Sequence, residues 1–181
     1  MVRFLSKLIL KICGWKEDGA FPEGKKFVVV AAPHTTAWDF IWGRLHYNSL
    51  GKSVKFMIKE KHLKFPFGVI LKKLGAVPVY SNSKISLTEQ MINEFNKREE
   101  FLLTITPEGT RKKVMRWKRG FYYIAKGANV PIALGYLDYE KKTMGVRKLF
   151  YPTDDVEADM KEILSFYKDI KGKYPECFSA E

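Results

Sequence analysis

His34 and Asp39 are the residues of this chain whose types and spacing point most directly to proton chemistry. They close the stretch KFVVVAAPHTTAWD, Lys26 to Asp39, which reads as a buried strand running through a turn into a helix. In open α/β sheets, reactive groups gather where strands end and helices begin. Five residues apart within one helix, the two side chains would sit about 140° apart, so they can meet only if His34 lies outside the helix. Asp39 must then fall in the first turn, with Thr35 or Thr36 as the N-cap. A carboxylate on one ring nitrogen fixes the tautomer and stabilises the imidazolium formed when the other takes a proton. The same residues also fit a plainer arrangement, a capping-box-like pair of Thr36 and Asp39 beside an ordinary loop histidine.

A second stretch, TPEGTR from Thr106 to Arg111, follows the apolar run Phe101 to Ile105 and precedes a basic segment. Gly109 permits a backbone conformation closed to other residues, so a turn here can aim amides and Arg111 at an anion. A planar guanidinium grips phosphate through two parallel hydrogen bonds, which lysine cannot reproduce. A solvated basic turn accounts for these residues equally well when they are taken alone.

Taken together, in this order and some seventy residues apart, His34-x4-Asp39 and Pro107-Glu-Gly-Thr-Arg111 resemble the motifs of the glycerophospholipid acyltransferases, among them the bacterial 1-acylglycerol-3-phosphate acyltransferases. Three weaker blocks agree: Gly75-Ala-Val-Pro-Val79, Lys118-Arg-Gly-Phe121 and Val130-Pro-Ile132. The resemblance implies transfer of an acyl chain from a thioester, acyl-CoA or acyl carrier protein, to a lipid hydroxyl, without metal or redox cofactor. It makes His34 the general base and Asp39 its orienting partner, and puts Glu108, Gly109, Thr110 and Arg111 at the acceptor's phosphate side. General-base assistance of this kind contributes about 10²–10⁴ in rate. The family's acidic residue and arginine after the Gly75 block are here Tyr80 and Ser81, and the late block's second proline is Leu134. The missing arginine removes one phosphate grip and opens the acceptor to lysolipids with other head groups, such as an amino-acid-containing one.

The elements that must position these residues follow from periodicity. Apolar runs at Lys26–Ala32, Ser53–Lys59, Val77–Tyr80, Phe101–Ile105, Val130–Leu137 and Lys142–Phe150 predict strands, the third at a sheet edge or with Pro78 at the strand's start. Helical patterns cover Thr36–Ser49, Lys61–Leu74, Lys84–Arg98, Phe121–Ala128 and Val156–Ile170. Strands alternating with helices predict a three-layer α/β fold, a mostly parallel central sheet flanked by helices in a single domain. A hairpin across Asp138–Lys141 adds an antiparallel strand.

The first sixteen residues, MVRFLSKLILKICGWK, have helical period, with Arg3, Lys7 and Lys11 on one side. Phe4, Leu5, Leu8, Ile9, Ile12 and Trp15 cover the other side, and Leu10 alone strays toward the charges. Such a helix suits an anionic membrane surface, lying in its plane; docking on its own domain is the alternative. The expected division is a membrane-interface helix over residues 1–18 and an acyltransferase domain over 19–181, peripheral and monotopic at the cytoplasmic face of the membrane.

The 181 residues carry a formal net charge of +12, unevenly placed. Lys52 to Lys73 holds seven lysines against one acid, Glu60, and Arg111 to Arg119 holds six basic residues and no acid. This charge attracts anions, but no familiar nucleic-acid motif accompanies it, so no nucleic-acid partner is expected. A thioester hydrolase using the same base on water is the closer competitor. No Gly-x-Ser-x-Gly elbow occurs, and Gly51-Lys52-Ser53 is no phosphate loop, because His46 stands where its first glycine belongs. His46 and His62 lack metal-ligand spacing, and Cys13 and Cys177 form no disulfide framework.

Overall fold

Lys26–Ala32 forms the strand its β-branched residues predict, and it lies within the sheet with neighbours on both sides. Val28, Val30 and Ala32 are buried in one hydrophobic cluster and Phe27 and Val29 in another. A parallel strand covered on both faces needs this unbroken apolar run. The computed structural model describes residues 1–180. In chain order the elements are α1 (Val2–Ile12), β1 (Lys16–Glu17), β2 (Lys26–Ala32), α2 (Trp38–Leu50), β3 (Val54–Lys59), α3 (Phe67–Lys73), β4 (Ala76–Val79), α4 (Leu87–Lys97), β5 (Phe101–Ile105), α5 (Gly120–Gly127), β6 (Ile132–Asp138), β7 (Thr143–Phe150) and α6 (Val156–Tyr167).

The strands form one seven-stranded sheet in the order β1-β7-β6-β2-β5-β3-β4. Every pairing is parallel except β6 with β7, the predicted hairpin, whose turn is held by Asp138 Oδ1 accepting from the amides of Glu140 and Lys141. From β2 to β3 to β4 the chain steps outward, and right-handed crossovers put α2 and α3 on one face. It then steps back through β5 to β6, which puts α4 and α5 on the other. The packing agrees. Tyr47 of α2 joins Phe27, Val29 and Val54, whereas α4, α5 and α6 supply the large cluster on the opposite face. The fold is therefore the expected three-layer α/β arrangement with a mostly parallel sheet.

Several boundaries differ from the sequence expectation. Lys61–Leu74 is not one helix: a 3-10 turn at Glu60–His62 precedes α3, which starts only at Phe67. Lys16–Glu17 is a strand that the sequence did not signal, since two exposed polar residues pair with β7 through backbone alone.

The amino-terminal helix docks on its own domain by one side and leaves the other exposed. It ends at Ile12 and docks on α2 through the side bearing Arg3, Ser6 and Leu10; Ser6 and Leu10 are buried, and Arg3 Nε donates to the Ser49 carbonyl at 3.0 Å. This explains why Leu10 strays from the apolar stripe. Phe4, Leu5, Leu8 and Ile12 point away from the protein, 73%, 53%, 42% and 75% exposed. Lys7 and Lys11 are exposed and Ile9 is half-buried. Trp15 requires a correction. It was expected at the membrane but is buried between Trp42 and Tyr139, with ring centroids at 5.6 and 5.1 Å. An indole in the core and one at an interface look alike in sequence, because both bury an apolar body.

Candidate active site

His34 lies just beyond the end of β2, and Asp39 is the second residue of α2, so the chain brings them together as the spacing requires. The His34 Nδ1 to Asp39 Oδ2 distance is 3.1 Å. The helix starts differently from expectation. Neither Thr35 nor Thr36 is the N-cap; Ala37 holds that position without a side-chain bond. The Asp39 carboxylate instead reaches back, and its Oδ2 accepts from the amides of Thr35 and Thr36, both at 2.9 Å. One carboxylate thus satisfies two amides of the turn before the helix and faces the imidazole as well. Holding the turn and facing the imidazole are not exclusive; the same carboxylate does both.

Glu108 was expected beside the acceptor's phosphate. It is instead buried, 4% exposed, and its Oε1 accepts from the His34 amide at 2.9 Å. Burial raises its pKa above the usual carboxylate range, opposed by its own amide and that of His34. A carboxylate in this place holds the histidine turn against the end of β5. Gly109 adopts φ +64°, which favours glycine at this turn, and the Lys118 ammonium lies directly beside it. Thr110 and Arg111 are exposed, and Thr110 Oγ1 accepts from the Lys112 amide. Arg111 and His34 line one shallow depression with Ala37, Trp38, Phe40 and Ile41.

From His34 a cleft of about 600 Å³ extends along the inner side of α2 and over the sheet. Phe40, Phe56, Ile58 and Val79 give it apolar walls, and Lys59 and Lys118 add cationic groups. Gly43 also lines it, and a Cβ there would meet nothing within 4 Å, so α2 leaves the cleft open at that turn. A greasy cleft with a carboxylate-held imidazole can receive an acyl chain and deprotonate a hydroxyl brought beside it.

The sequence model of the acyltransferase family matches residues 16–133, more than half of the chain, a span that contains His34, Asp39 and the whole Glu108–Arg111 turn. The chain belongs to the acyltransferase family. Its fold is similar to that of the crystal structure of the 1-acyl-sn-glycerophosphate (LPA) acyltransferase PlsC from Thermotoga maritima. That match has a TM-score of 0.63 at 18% identity, covering 92% of this chain and 75% of that one. No curated protein sequence matches the chain.

In this acyltransferase the least anticipated member of the site is Tyr139. It sits in the β6–β7 turn, and its hydroxyl donates to Asp39 Oδ1 at 2.6 Å. Burial, then the bond to Asp39, raises its pKa far above the usual phenol range, so it stays a donor. No local pattern could have revealed a partner one hundred residues away from Asp39. Tyr139→Phe should lower kcat by about tenfold, the worth of one hydrogen bond to a charged group, and leave the KM values unchanged. Steady-state kinetics read this, and an unaltered kcat would contradict it.

His46 is buried. It is 5% exposed on the inner side of α2, neither ring nitrogen has a hydrogen-bond partner among the described residues, and Glu17 Oε1 is 3.8 Å from Nδ1. Burial lowers its pKa from 6.5 to about 4. Between those values the unfolded chain binds the extra proton and the folded chain does not. Stability is therefore complete above pH 6.5 and falls as pH drops through this window, by about 3 kcal/mol in all and about 2 kcal/mol of it by pH 5. Urea unfolding at pH 7 and pH 5 should show this loss, and His46→Leu should abolish most of it.

Proposed function

We propose that this acyltransferase moves a fatty acyl chain from a thioester, acyl-CoA or acyl carrier protein, to a hydroxyl of a lysophospholipid or 1-acylglycerol-3-phosphate-like acceptor. The observation that carries the proposal is the His34–Asp39 pair at the head of a largely apolar cleft. Nδ1 faces Asp39, which leaves Nε2 to take the acceptor's proton. The acceptor oxygen attacks the thioester carbonyl, the carbon–sulfur bond breaks, and the imidazolium returns the proton to the departing thiolate. Asp39 stabilises the imidazolium between these steps. No metal or redox cofactor enters this scheme.

Arg111 shares its depression with His34, and Lys59 and Lys118 enter the cleft, so cations surround the place where an acceptor's head group would lie. Tyr80 and Ser81 follow β4, and Gln90 binds Tyr80's backbone on both sides, its Oε1 accepting from the amide and its Nε2 donating to the carbonyl. The phosphate grip therefore rests on Arg111 and the two lysines. Arg111→Ala should raise the acceptor's KM by about 10–100-fold and leave that of the thioester unchanged; equal effects on both would count against this role.

The exposed apolar face of α1, with Lys7 and Lys11 beside it, supports residues 1–18 as a membrane-interface helix. Among the described residues no helix is long and apolar enough to cross a membrane. Peripheral attachment at the cytoplasmic face would bring the site to lysolipid in the bilayer and to thioester in solution. The deciding experiment incubates purified protein with labelled acyl-CoA or acyl carrier protein and a panel of lysolipids, and identifies products by mass. A diacylated lipid is expected. Free fatty acid released at the same rate whatever lysolipid is added would replace the transferase by a hydrolase.

A further inference from the structure

We propose that the turn Lys64–Pro66 and helix α3 form a second lipid-binding element, which inserts Phe65, Phe67 and Ile70 into an anionic bilayer beside the mouth of the cleft. Phe65 and Phe67 are 86% and 71% exposed, and Val69 and Ile70 follow at 49% and 57%. Single exposed apolar residues are ordinary. Four within six positions, two of them phenylalanines, make a contiguous patch of the kind that marks a binding surface.

The patch is presented by a built turn. Leu63 N donates to the Glu60 carbonyl at 2.8 Å, Gly68 N to the Lys64 carbonyl at 2.8 Å, and Val69 N to the Pro66 carbonyl at 3.3 Å. Gly68 is buried, and a Cβ there would lie 1.9 Å from the Leu63 carbonyl oxygen, so the backbone is packed too tightly for any side chain. Leu71 and Leu74 are half-buried and tether the helix. With the backbone pinned this way, the phenylalanines cannot fold inward without breaking the turn.

The surroundings say what covers the patch. Lys61, Lys64, Lys72 and Lys73 are all exposed around it, against the single acid Glu60. Lysines ringing an apolar tip match a bilayer, with ammonium groups at the phosphates and rings among the acyl chains. Position agrees as well. The turn leaves β3 at Ile58 and Lys59, which line the cleft, and α3 shares its sheet face with α2, whose Trp38 and Ile41 are also exposed. Inserted here, α3 would set the cleft mouth at the depth of a lysolipid's head group.

The inference rests on the enzyme's working at a lipid surface, and does not require α1 to be the anchor. The test uses the full chain with Cys13→Ser and Cys177→Ser, carrying an environment-sensitive fluorophore at Phe67→Cys or, separately, at Leu8→Cys. Each is mixed with phosphatidylcholine vesicles with and without phosphatidylglycerol, and with lipids bearing a quencher on the acyl chain. The Phe67 label should shift to the blue and be quenched only when phosphatidylglycerol is present. If the Leu8 label enters the bilayer while the Phe67 label stays in water, the α3 proposal fails and the α1 assignment stands. If only the Phe67 label enters, the α3 proposal stands and the α1 assignment fails. If neither enters, both fail. Phe65→Ser combined with Phe67→Ser should weaken binding to phosphatidylglycerol vesicles by about tenfold or more. Its far-ultraviolet circular dichroism and unfolding midpoint should stay unchanged, because both side chains are exposed. Undiminished vesicle binding by the double variant would overturn the proposal.

Discussion

His34→Ala lowers the rate of acyl transfer by about 10²–10⁴-fold while the protein remains folded. The side chain is 22% exposed and, among the described residues, makes a single hydrogen bond, to Asp39. What holds the turn is the His34 backbone amide bonded to Glu108 and the Thr35 and Thr36 amides bonded to Asp39, and alanine keeps all three. Loss of the imidazole therefore removes a proton acceptor and little else. Product formation from labelled thioester and lysolipid measures the rate, and thermal unfolding checks the fold. A variant that keeps full activity would show that another group accepts the proton and would falsify the mechanism.

Asp39→Asn should have the next largest effect, lowering kcat by about 10²-fold, the upper worth of a hydrogen bond to a charged group. An asparagine can place its oxygen where Oδ2 accepts from Thr35 and Thr36, so the start of α2 survives. Its NH₂ group would then face Tyr139, whose hydroxyl can turn round to accept. What disappears is the negative charge that stabilises the imidazolium, so the defect belongs in kcat and not in the acceptor's KM. Asp39→Ala is a different case, because it strands two buried amides and a half-buried hydroxyl that now share one carboxylate. Unsatisfied buried donors cost about 1–3 kcal/mol each, so this variant should be visibly less stable as well as slow. Comparing the two by denaturant unfolding and by kinetics separates charge from structure. An Asp39→Asn variant as active as the parent would leave the carboxylate a group that holds the turn and nothing more.

Some of this molecule is written locally and some is not. The bounds of β2 and β5 come directly from the runs KFVVVAA and FLLTI, because a strand buried on both faces reads as a nearly continuous apolar run. The ends of α2 and α3 were less legible. A side-chain cap is expected at Thr35 or Thr36, yet Ala37 holds the cap position, and the carboxylate of Asp39 ties down the turn before it from inside the helix. Over Lys61–Leu74 the helical pattern is interrupted because Pro66 and the packed Gly68 delay the first regular turn to Phe67. Strand β1 carries no side-chain signal at all, since its pairing to β7 uses only backbone.

By itself, the sequence determined that His34 and Asp39 could meet, that Arg111 could follow a glycine turn, and that strands and helices alternate. These are properties of residue type and of separations along one or two elements, where the geometry of strand and helix carries over directly. Only the tertiary structure decided which way each group faces. Glu108 turns inward to the His34 amide, Trp15 packs into the core against Tyr139, Tyr139 reaches Asp39, and α1 docks by Ser6 and Leu10 with its phenylalanine and leucines left outside. Burial and long-range hydrogen bonds depend on what the rest of the chain places opposite a residue, and local spacing holds no record of that.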